Sequence, residues 1–271
     1  NRLVFGAGAV NKVGEEITRI AKKGASVFLV ADKGIEKAGL VEKVVEPLEK
    51  EGHQVHVFTE VRTEPTFGSM EVAVRAVREG KYDAVIGLGG GSSMDTAKTA
   101  EALATNPGDV SYYYSMLEDR IKNKPLPLIL IPTTAGTGSE VSPFAVAIDE
   151  EKGTKNFITS PSVLPEVAIV DPELTVTCPP RQTAGSAMDA LSHAIESYLV
   201  KKPTPLSDAY ALYAARLISS YCVRAYYNGE DLEARYYLSI AATFGGLCMV
   251  MVPSLNIGHC IAEAIGPLYK I

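Results

Sequence analysis

The sequence predicts an α/β part followed by an all-helical part. The first observation is size and composition, because 271 residues with 46% apolar and 21% charged side chains are typical of a globular chain of rather less than two average domains. The second is that short, continuous apolar runs alternate with helical segments up to residue 178, and the third is that only helical segments follow. Strand–helix–strand alternation predicts a parallel sheet covered by helices.

The predicted strands are short apolar or β-branched runs with turn residues on either side. Continuous apolar runs indicate strands that are buried on both faces of a sheet. In chain order they are Val27–Asp32, Val55–Phe58, Ala84–Leu88, Leu128–Pro132, Phe144–Asp149, Asn156–Thr159 and Val167–Asp171. The Glu-Glu-Lys-Gly turn between the fifth and sixth of these runs predicts a hairpin.

Helices are predicted where apolar residues recur at helical spacing. They are Leu40–Glu51, Ser69–Glu79 and Met94–Ala104 in the first part, and Ala184–Val200, Pro205–Tyr221, Leu232–Met251 and Gly258–Ala264 in the second. The pair Pro179–Pro180 interrupts the chain where the pattern changes. We therefore expect one domain over residues 1–178 and a second over residues 179–271.

Charge and cysteine content limit the partners and the compartment. A net charge of −6 argues against binding to nucleic acid or to an anionic membrane surface, and leaves a small molecule as the expected partner. The apolar run at 126–132 is far shorter than the roughly 20 residues of a membrane span, and Gly6 interrupts the opening run, so no secretory leader is expected. The four cysteines lack metal-ligand spacing, which predicts free thiols in the cytoplasm.

A glycine-rich loop, Gly87–Ser93, follows a predicted strand and precedes a predicted helix. Glycines allow the backbone to approach a phosphate, and the helix N-terminus offers unpaired N–H groups and the positive end of its dipole. Ser92 or Ser93 can cap the helix, and Asp95 lies in its first turn. The spacing is not that of the common dinucleotide fingerprint, so a tight strand-to-helix turn remains the alternative.

A second polar loop supports a nucleotide site. Thr133–Glu140 follows the strand at Leu128–Pro132 and carries three threonines, a serine and two glycines, which places hydroxyl and amide donors at the carboxyl end of the sheet. Asp32 ends another strand, where an acid commonly accepts from ribose hydroxyls and repels a 2′-phosphate. A helix cap is the alternative role for Asp32.

Two of the four histidines stand at helical spacing from a carboxylate. Asp189 and His193 are four residues apart, as are His259 and Glu263, so the members of each pair share a helix face. An aspartate with two histidines suits Fe(II) or Zn(II), and the ligand set alone does not choose between them. Ordinary hydrogen-bonded helix residues are the alternative, and His53 and His56 are expected to be structural or exposed.

Taken together, these elements resemble the iron-containing alcohol dehydrogenase family, which includes lactaldehyde reductase. The resemblance covers essentially the whole chain, in order. It rests on the blocks Val30–Lys33, Glu64–Thr66, Gly89–Lys98, Pro132–Val141, Ala168–Pro172 and Met188–Glu196.

The resemblance implies a Rossmann-like NAD(P)-binding domain and an all-helical metal domain, the fold also found in dehydroquinate synthases. It implies cofactor contacts by Asp32, Glu64, Gly90, Gly91, Ser92, Asp95, Thr133, Thr134, Thr137 and Lys155, with NAD favoured over NADP by Asp32. It implies metal ligation by Asp189, His193 and His259, with Fe(II) expected and Zn(II) as the alternative, and a homo-oligomer, a dimer or larger. The implied reaction is reversible hydride transfer between NAD(H) and a small alcohol, aldehyde or ketone.

The chain departs from the family pattern near its end. The family often has a second histidine where Glu263 stands, so Glu263 joins the expected catalytic residues beside the three ligands and could tune the metal, transfer a proton or alter substrate preference. The chain ends shortly before the position of the family's fourth ligand, so we expect a C-terminally truncated, incomplete metal domain. A glycerol dehydrogenase-like polyol oxidoreductase, a dehydroquinate synthase-like lyase and a non-catalytic nucleotide-binding subunit remain alternatives.

Overall fold

The computed structural model describes residues 2–115, 118–252 and 257–269. The chain divides into two compact units. Unit 1 comprises Asn1–Pro132 and Pro143–Val170, and unit 2 comprises Thr133–Ser142 and Asp171–Ile271.

A six-stranded sheet forms the centre of unit 1. The strands of the chain are β1 (Arg2–Phe5), β2 (Ser26–Val30), β3 (Gln54–Phe58), β4 (Ala84–Gly89), β5 (Leu128–Pro132), β6 (Phe144–Asp149), β7 (Thr154–Thr159) and β8 (Val167–Val170). Every pairing in the six-stranded sheet is parallel, and the strand order is β1-β8-β5-β4-β2-β3. The central strands β2, β4, β5 and β8 are almost completely buried, which explains their continuous apolar sequences.

Helices connect the strands of this sheet. They are α1 (Val13–Ile20), α2 (Lys33–Lys37), α3 (Glu42–Lys50), α4 (Phe67–Gly80), α5 (Gly91–Thr105) and α6 (Val110–Tyr113). The predicted parallel α/β architecture is therefore confirmed. Strand β1 and helices α1, α2 and α6 were not predicted. Strand β1 is a short edge strand with two exposed residues, and α2 and α6 are only five and four residues long.

The strands β6 and β7 form the predicted antiparallel hairpin, apart from the main sheet. Two side chains of the buried helix α5 hold β6 in place. The carboxylate of Asp95 accepts a hydrogen bond from the N–H of Val146 at 3.1 Å, and the ammonium of Lys98 donates to the carbonyl of Phe144 at 2.6 Å. The helix that begins at the glycine-rich loop is thus fixed to the hairpin by ionisable groups.

The described secondary structure of unit 2 consists of helices joined by loops. Its helices are α7 (Pro180–Tyr198), α8 (Pro205–Tyr227), α9 (Leu232–Met251) and α10 (Ile257–Tyr269). Small residues, mostly alanines, occupy the core where α7, α8 and α9 pack. Thr204 and Ser207 form a capping box that starts α8, and Pro205 occupies its first turn.

The loop Thr133–Ser142 belongs to unit 2 because glycines let it approach the helices closely. A Cβ on Gly136 would lie 2.8 Å from the Cβ of Ser186 on α7, and a Cβ on Gly138 would lie 2.5 Å from the Cα of Gly246 on α9. Gly138 also has a φ of 62°, which glycine adopts without strain. The hydroxyl of Thr243 donates to Glu140 at 3.1 Å on the same interface.

The division also differs from the predicted boundary at residue 178. The longer segment of unit 2 begins at Asp171, where the chain after β8 is bound to α9. The buried guanidinium of Arg235 donates to the carbonyl of Cys178 at 3.1 Å and to the hydroxyl of Thr183 at 2.8 Å. Within the described part of the chain, no helix is both long and apolar enough to cross a membrane.

Candidate functional site

The carboxyl ends of β2 and β4 are neighbours at the point where the order of the sheet reverses. From β2 the chain passes outward to β3, and from β4 it continues in the other direction to β5. Open parallel α/β sheets bind ligands at such a reversal. Asp32 follows β2 and Gly90 follows β4, so the two sequence-predicted elements lie side by side, with Ser93 Oγ 3.4 Å from Asp32 Oδ2.

The turn from β4 into α5 requires glycine. Gly89 has a φ of 141°, and a Cβ there would lie 2.6 Å from the hydroxyl oxygen of Ser93. Gly90 is the N-cap of α5 and carries no side chain to accept from the first-turn N–H groups. A helix of fifteen residues therefore begins at this loop with its backbone donors uncapped by a side chain, which is a typical anion site.

The other predicted cofactor residues of unit 1 differ in burial and in their hydrogen bonds. The hydroxyl of Ser92 donates to the carbonyl of Thr63, in the exposed segment that also carries Glu64. The carboxylate of Asp95 is buried and accepts a hydrogen bond from the N–H of Val146 on β6. Lys155 lies half-buried on β7, opposite Ile148.

Asp32 serves as a helix cap in this structure. Its Oδ1 accepts from the N–H groups of Gly34 at 2.7 Å and Ile35 at 3.0 Å, which starts α2. The helix cap, which the sequence offered as the alternative role of Asp32, is therefore present. The capping contacts use Oδ1, while Oδ2 is the oxygen that faces Ser93.

The loop Thr133–Ser142, the threonine loop, carries a buried polar atom without a hydrogen-bond partner. Thr133 is buried, and its Oγ1 has no hydrogen-bond partner among the described residues. Buried hydroxyls are nearly always paired in native proteins, so an unpaired one is a candidate ligand contact. Thr137 Oγ1 accepts from the N–H of Ser139 at 3.2 Å, and Thr134 is half-buried.

In unit 2 the structure brings Asp189, His193 and His259 together. Their donor atoms all lie within 4.8 Å of one another, although α7 and α10 are far apart in sequence. Asp189 Oδ1 lies 3.7 Å from His193 Nε2 and 3.6 Å from His259 Nε2. Ligands of a tetrahedral ion at bond lengths near 2.1 Å are about 3.4 Å apart, so this donor set fits a single transition-metal ion.

The two imidazoles have opposite electrostatic environments. Burial lowers the pKa of His193 below its usual value, which favours the neutral form that binds metals. The nearby carboxylates of Asp189 and Glu196 raise the pKa of His259 to about 9. The rings stack with centroids 4.7 Å apart and an angle of 15° between their planes.

Glu196 is the neighbour that sequence reasoning missed. Its Oε1 lies 2.9 Å from His259 Nδ1 and accepts from the N–H of His259 at 3.1 Å. The available signal was its spacing, because Glu196 stands three residues after His193 and seven after Asp189, on the same face of α7.

Comparison with known family models divides the chain between residues 172 and 183. The family model for iron-containing alcohol dehydrogenase matches residues 1–172, and the model for the C-terminal part of that family matches residues 183–271. The chain belongs to the iron-containing alcohol dehydrogenase family. It is therefore an oxidoreductase of the alcohol dehydrogenase type, and the predicted Rossmann-like and helical fold of the family is confirmed.

Two curated relatives and one solved structure illustrate how similar this alcohol dehydrogenase is to known members. Long-chain-alcohol dehydrogenase 1 of Geobacillus thermodenitrificans is 41% identical over 277 residues, which is 100% of this chain and 69% of the relative. The NAD-dependent methanol dehydrogenase of Bacillus methanolicus is 37% identical, over 99% of this chain and 69% of its own length. The crystal structure of 1,3-propanediol oxidoreductase matches with a TM-score of 0.94 and 34% identity, covering 100% of this chain and 70% of that one.

The remaining predicted residues of this alcohol dehydrogenase lie outside the three-donor group. Glu263 is half-buried on α10, one turn after His259. His53 is buried and structural: its Nδ1 accepts from the N–H of Ala25 at 3.1 Å, and its Nε2 lies 3.0 Å from the carbonyl of Gly14. His56 is exposed on β3.

Proposed function

We propose that this chain transfers hydride reversibly between NAD(H) and a small alcohol, aldehyde or ketone with the help of a divalent metal ion. The observation that supports this most is the group of one carboxylate and two imidazoles in unit 2, with donor atoms within 4.8 Å of one another. Two imidazole nitrogens and one carboxylate oxygen are donors that Fe(II) and Zn(II) accept.

Asp189, His193 and His259 would hold the metal. Fe(II) is the proposed ion, because the family is named for iron, and Zn(II) is the alternative that the donor set also suits. A metal bound there supplies Lewis-acid chemistry at the substrate oxygen, while the nicotinamide supplies or accepts the hydride. Glu263 is proposed to take part in proton transfer, since it lies on the same helix one turn from His259.

Unit 1 would hold the pyrophosphate and the adenosine ribose of the nucleotide. The first-turn N–H groups at Gly91 and Ser92, next to Gly90, would bind the pyrophosphate, because glycine leaves them open to an anion. Asp32 Oδ2 would accept from the adenosine ribose, and its charge favours NAD over NADP. The family's cofactor positions add six side chains as proposed contacts, namely Glu64, Asp95, Thr133, Thr134, Thr137 and Lys155, and Thr133 is supported by its unpaired hydroxyl.

A polyol oxidoreductase of the glycerol dehydrogenase kind is the second candidate substrate class, and a non-catalytic nucleotide-binding subunit is the candidate of a different class. The cytoplasmic location and the assembly into a homodimer or larger oligomer stay predictions from sequence.

The test is the absorbance of NADH at 340 nm in the presence of metal-loaded protein and a panel of small aldehydes and ketones. We expect NADH oxidation, with slower oxidation of NADPH because of the charge on Asp32. Faster turnover of dihydroxyacetone than of simple aldehydes supports the polyol alternative. No oxidation of NADH by protein that binds both NADH and metal contradicts the proposed reaction and supports the non-catalytic alternative.

A further inference from the structure

Glu196 makes two contacts with one residue of another helix. Its Oε1 accepts from the N–H of His259 at 3.1 Å and lies 2.9 Å from Nδ1 of the same residue. His259 is the third residue of α10, so its N–H is one of the four first-turn donors without a partner inside the helix. One carboxylate therefore caps the start of α10 and also contacts the imidazole.

The ring of His259 lies between two carboxylates from the same helix. Nε2 lies 3.6 Å from Asp189 Oδ1, and Nδ1 lies 2.9 Å from Glu196 Oε1 as an ion-pair contact, without the alignment of a hydrogen bond. These acids are seven residues apart, which is two turns on one face of α7. The stacked ring of His193, from the same face, fixes the plane of the imidazole. Every one of these contacts on the ring comes from α7.

Gly258, which precedes His259, has no side chain and so leaves room for the carboxylate of Glu196. A Cβ on Gly258 would lie 2.5 Å from Glu196 Oε1, well inside normal contact distance. The carboxylate thus occupies the space that any side chain at residue 258 would need. Glu196 is largely buried, with 14% of its side chain exposed.

We propose that Glu196 is a positioning residue, which holds the imidazole of His259 so that Nε2 faces the metal. This inference rests on the proposed metal site. A histidine that binds a metal through Nε2 carries its proton on Nδ1, and a carboxylate that accepts this proton fixes the tautomer and the ring orientation and strengthens the donor nitrogen. Glu196 acts through His259 and is not itself one of the three donors.

The experiment measures Co(II) binding to the full chain by competition with a chromophoric chelator, together with the visible absorption bands of bound Co(II). The variants are Glu196→Ala, Glu196→Gln and Asp189→Ala. Glu233→Gln is the matched control, because it removes an equal charge from an exposed site on α9 that is paired with Arg224. Hydrogen exchange of the amide groups of α10 reports whether the helix stays docked.

We expect Glu196→Ala to weaken Co(II) binding about 10- to 100-fold and to change the Co(II) spectrum. Glu196→Gln keeps an oxygen that can accept from Nδ1–H but loses the charge, so we expect a smaller loss and a spectrum close to that of the parent. Glu233→Gln should bind Co(II) like the parent chain.

Gly258→Ala tests the same contact without changing any charge. Alanine favours the helix more than glycine does, so a purely structural view expects α10 to be at least as stable in this variant. Our proposal instead expects weaker Co(II) binding, because the methyl group displaces the carboxylate from Nδ1. When Gly258→Ala is combined with Glu196→Ala, Co(II) affinity should fall little further, since both substitutions remove the same contact.

Two results would overturn the proposal. The first is Co(II) binding by Glu196→Ala within twofold of the parent, while Asp189→Ala has lost it. The second is a loss of Co(II) affinity in Glu196→Ala that is accompanied by loss of amide protection in α10, while Glu196→Gln and Gly258→Ala bind Co(II) like the parent. Glu196 would then have only a structural role. Unchanged binding by Asp189→Ala contradicts the proposed metal site itself and is thereby distinguished from both.

Discussion

Gly246→Ala should destabilise the helical unit, although alanine is the better helix former. Gly246 lies within α9, where the helix meets the threonine loop. A Cβ there would lie 2.8 Å from the Cα of Gly138, 2.9 Å from its carbonyl oxygen and 2.9 Å from Cγ2 of Val141. Two of these three atoms are backbone, so no side-chain rotation relieves the overlap and the loop must move.

The magnitude follows from two opposing terms. Overpacking of this kind costs about 1–3 kcal/mol, and contacts with backbone belong at the upper end. Replacing glycine by alanine inside a helix stabilises the helix by about 1 kcal/mol through its higher helix propensity. The net expectation is a loss of about 2 kcal/mol in the free energy of unfolding, whereas Gly185→Ala on α7, with no atom within 4 Å of the new Cβ, should gain about 0.5–1 kcal/mol.

The assay is urea unfolding of the full chain followed by far-UV circular dichroism, with both variants and the parent measured side by side. The same chemical change at two helical glycines should shift the midpoint in opposite directions. If Gly246→Ala proves as stable as Gly185→Ala, the close packing of residues 133–142 on α9 is refuted, and with it the reason for placing that loop in unit 2.

Two further predictions concern buried ionisable groups. Arg235→Met should cost about 3 kcal/mol in urea unfolding, because it removes the buried guanidinium donors to Cys178, Thr183 and Gly229. The exposed control Arg216→Met should change stability by less than about 0.5 kcal/mol. Equal effects of the two substitutions contradict the role of the guanidinium. Glu101→Gln should stabilise the protein at pH 7. Burial, and then Glu166, raise the pKa of the Glu101 carboxyl in the folded protein well above 4.5, so the unfolded chain loses that proton first as pH rises. Each pKa unit between the folded and unfolded states lowers the stability of the parent by about 1.4 kcal/mol at high pH. Urea unfolding at pH 4 and pH 7 should show this advantage only at the higher pH, and an equal advantage at both contradicts it.

The parts of the fold that could be predicted depend on local sequence. The four central strands are continuous apolar runs because both faces of the sheet are covered, and the glycine-rich loop is recognisable because the β4–α5 turn tolerates no side chain at Gly89. The four-residue spacing of Asp189 and His193 likewise suffices to place both side chains on one helix face. By contrast, β1 is four residues long with an exposed start, so nothing in its pattern separates it from a loop.

The parts that could not be predicted depend on contacts between distant residues. The assignment of residues 133–142 to the helical unit depends on Gly138 and Gly246 meeting, and glycines give no periodic signal of a partner. In sequence, Glu196 resembles a solvated helix acid, and only the docking of α10 brings His259 against it. The boundary at residue 178 was inferred from Pro179–Pro180, yet Arg235 ties the preceding segment to α9.

The central claim is that the donors on α7 and α10 hold a metal needed for hydride transfer to or from NAD. The most direct measurement is elemental analysis of purified His193→Ala protein beside the parent, with NADH affinity by fluorescence titration and NADH-dependent aldehyde reduction on the same samples. We predict loss of bound metal and of turnover, with NADH affinity unchanged because the proposed nucleotide contacts do not include His193. Turnover or metal content equal to the parent would contradict the account.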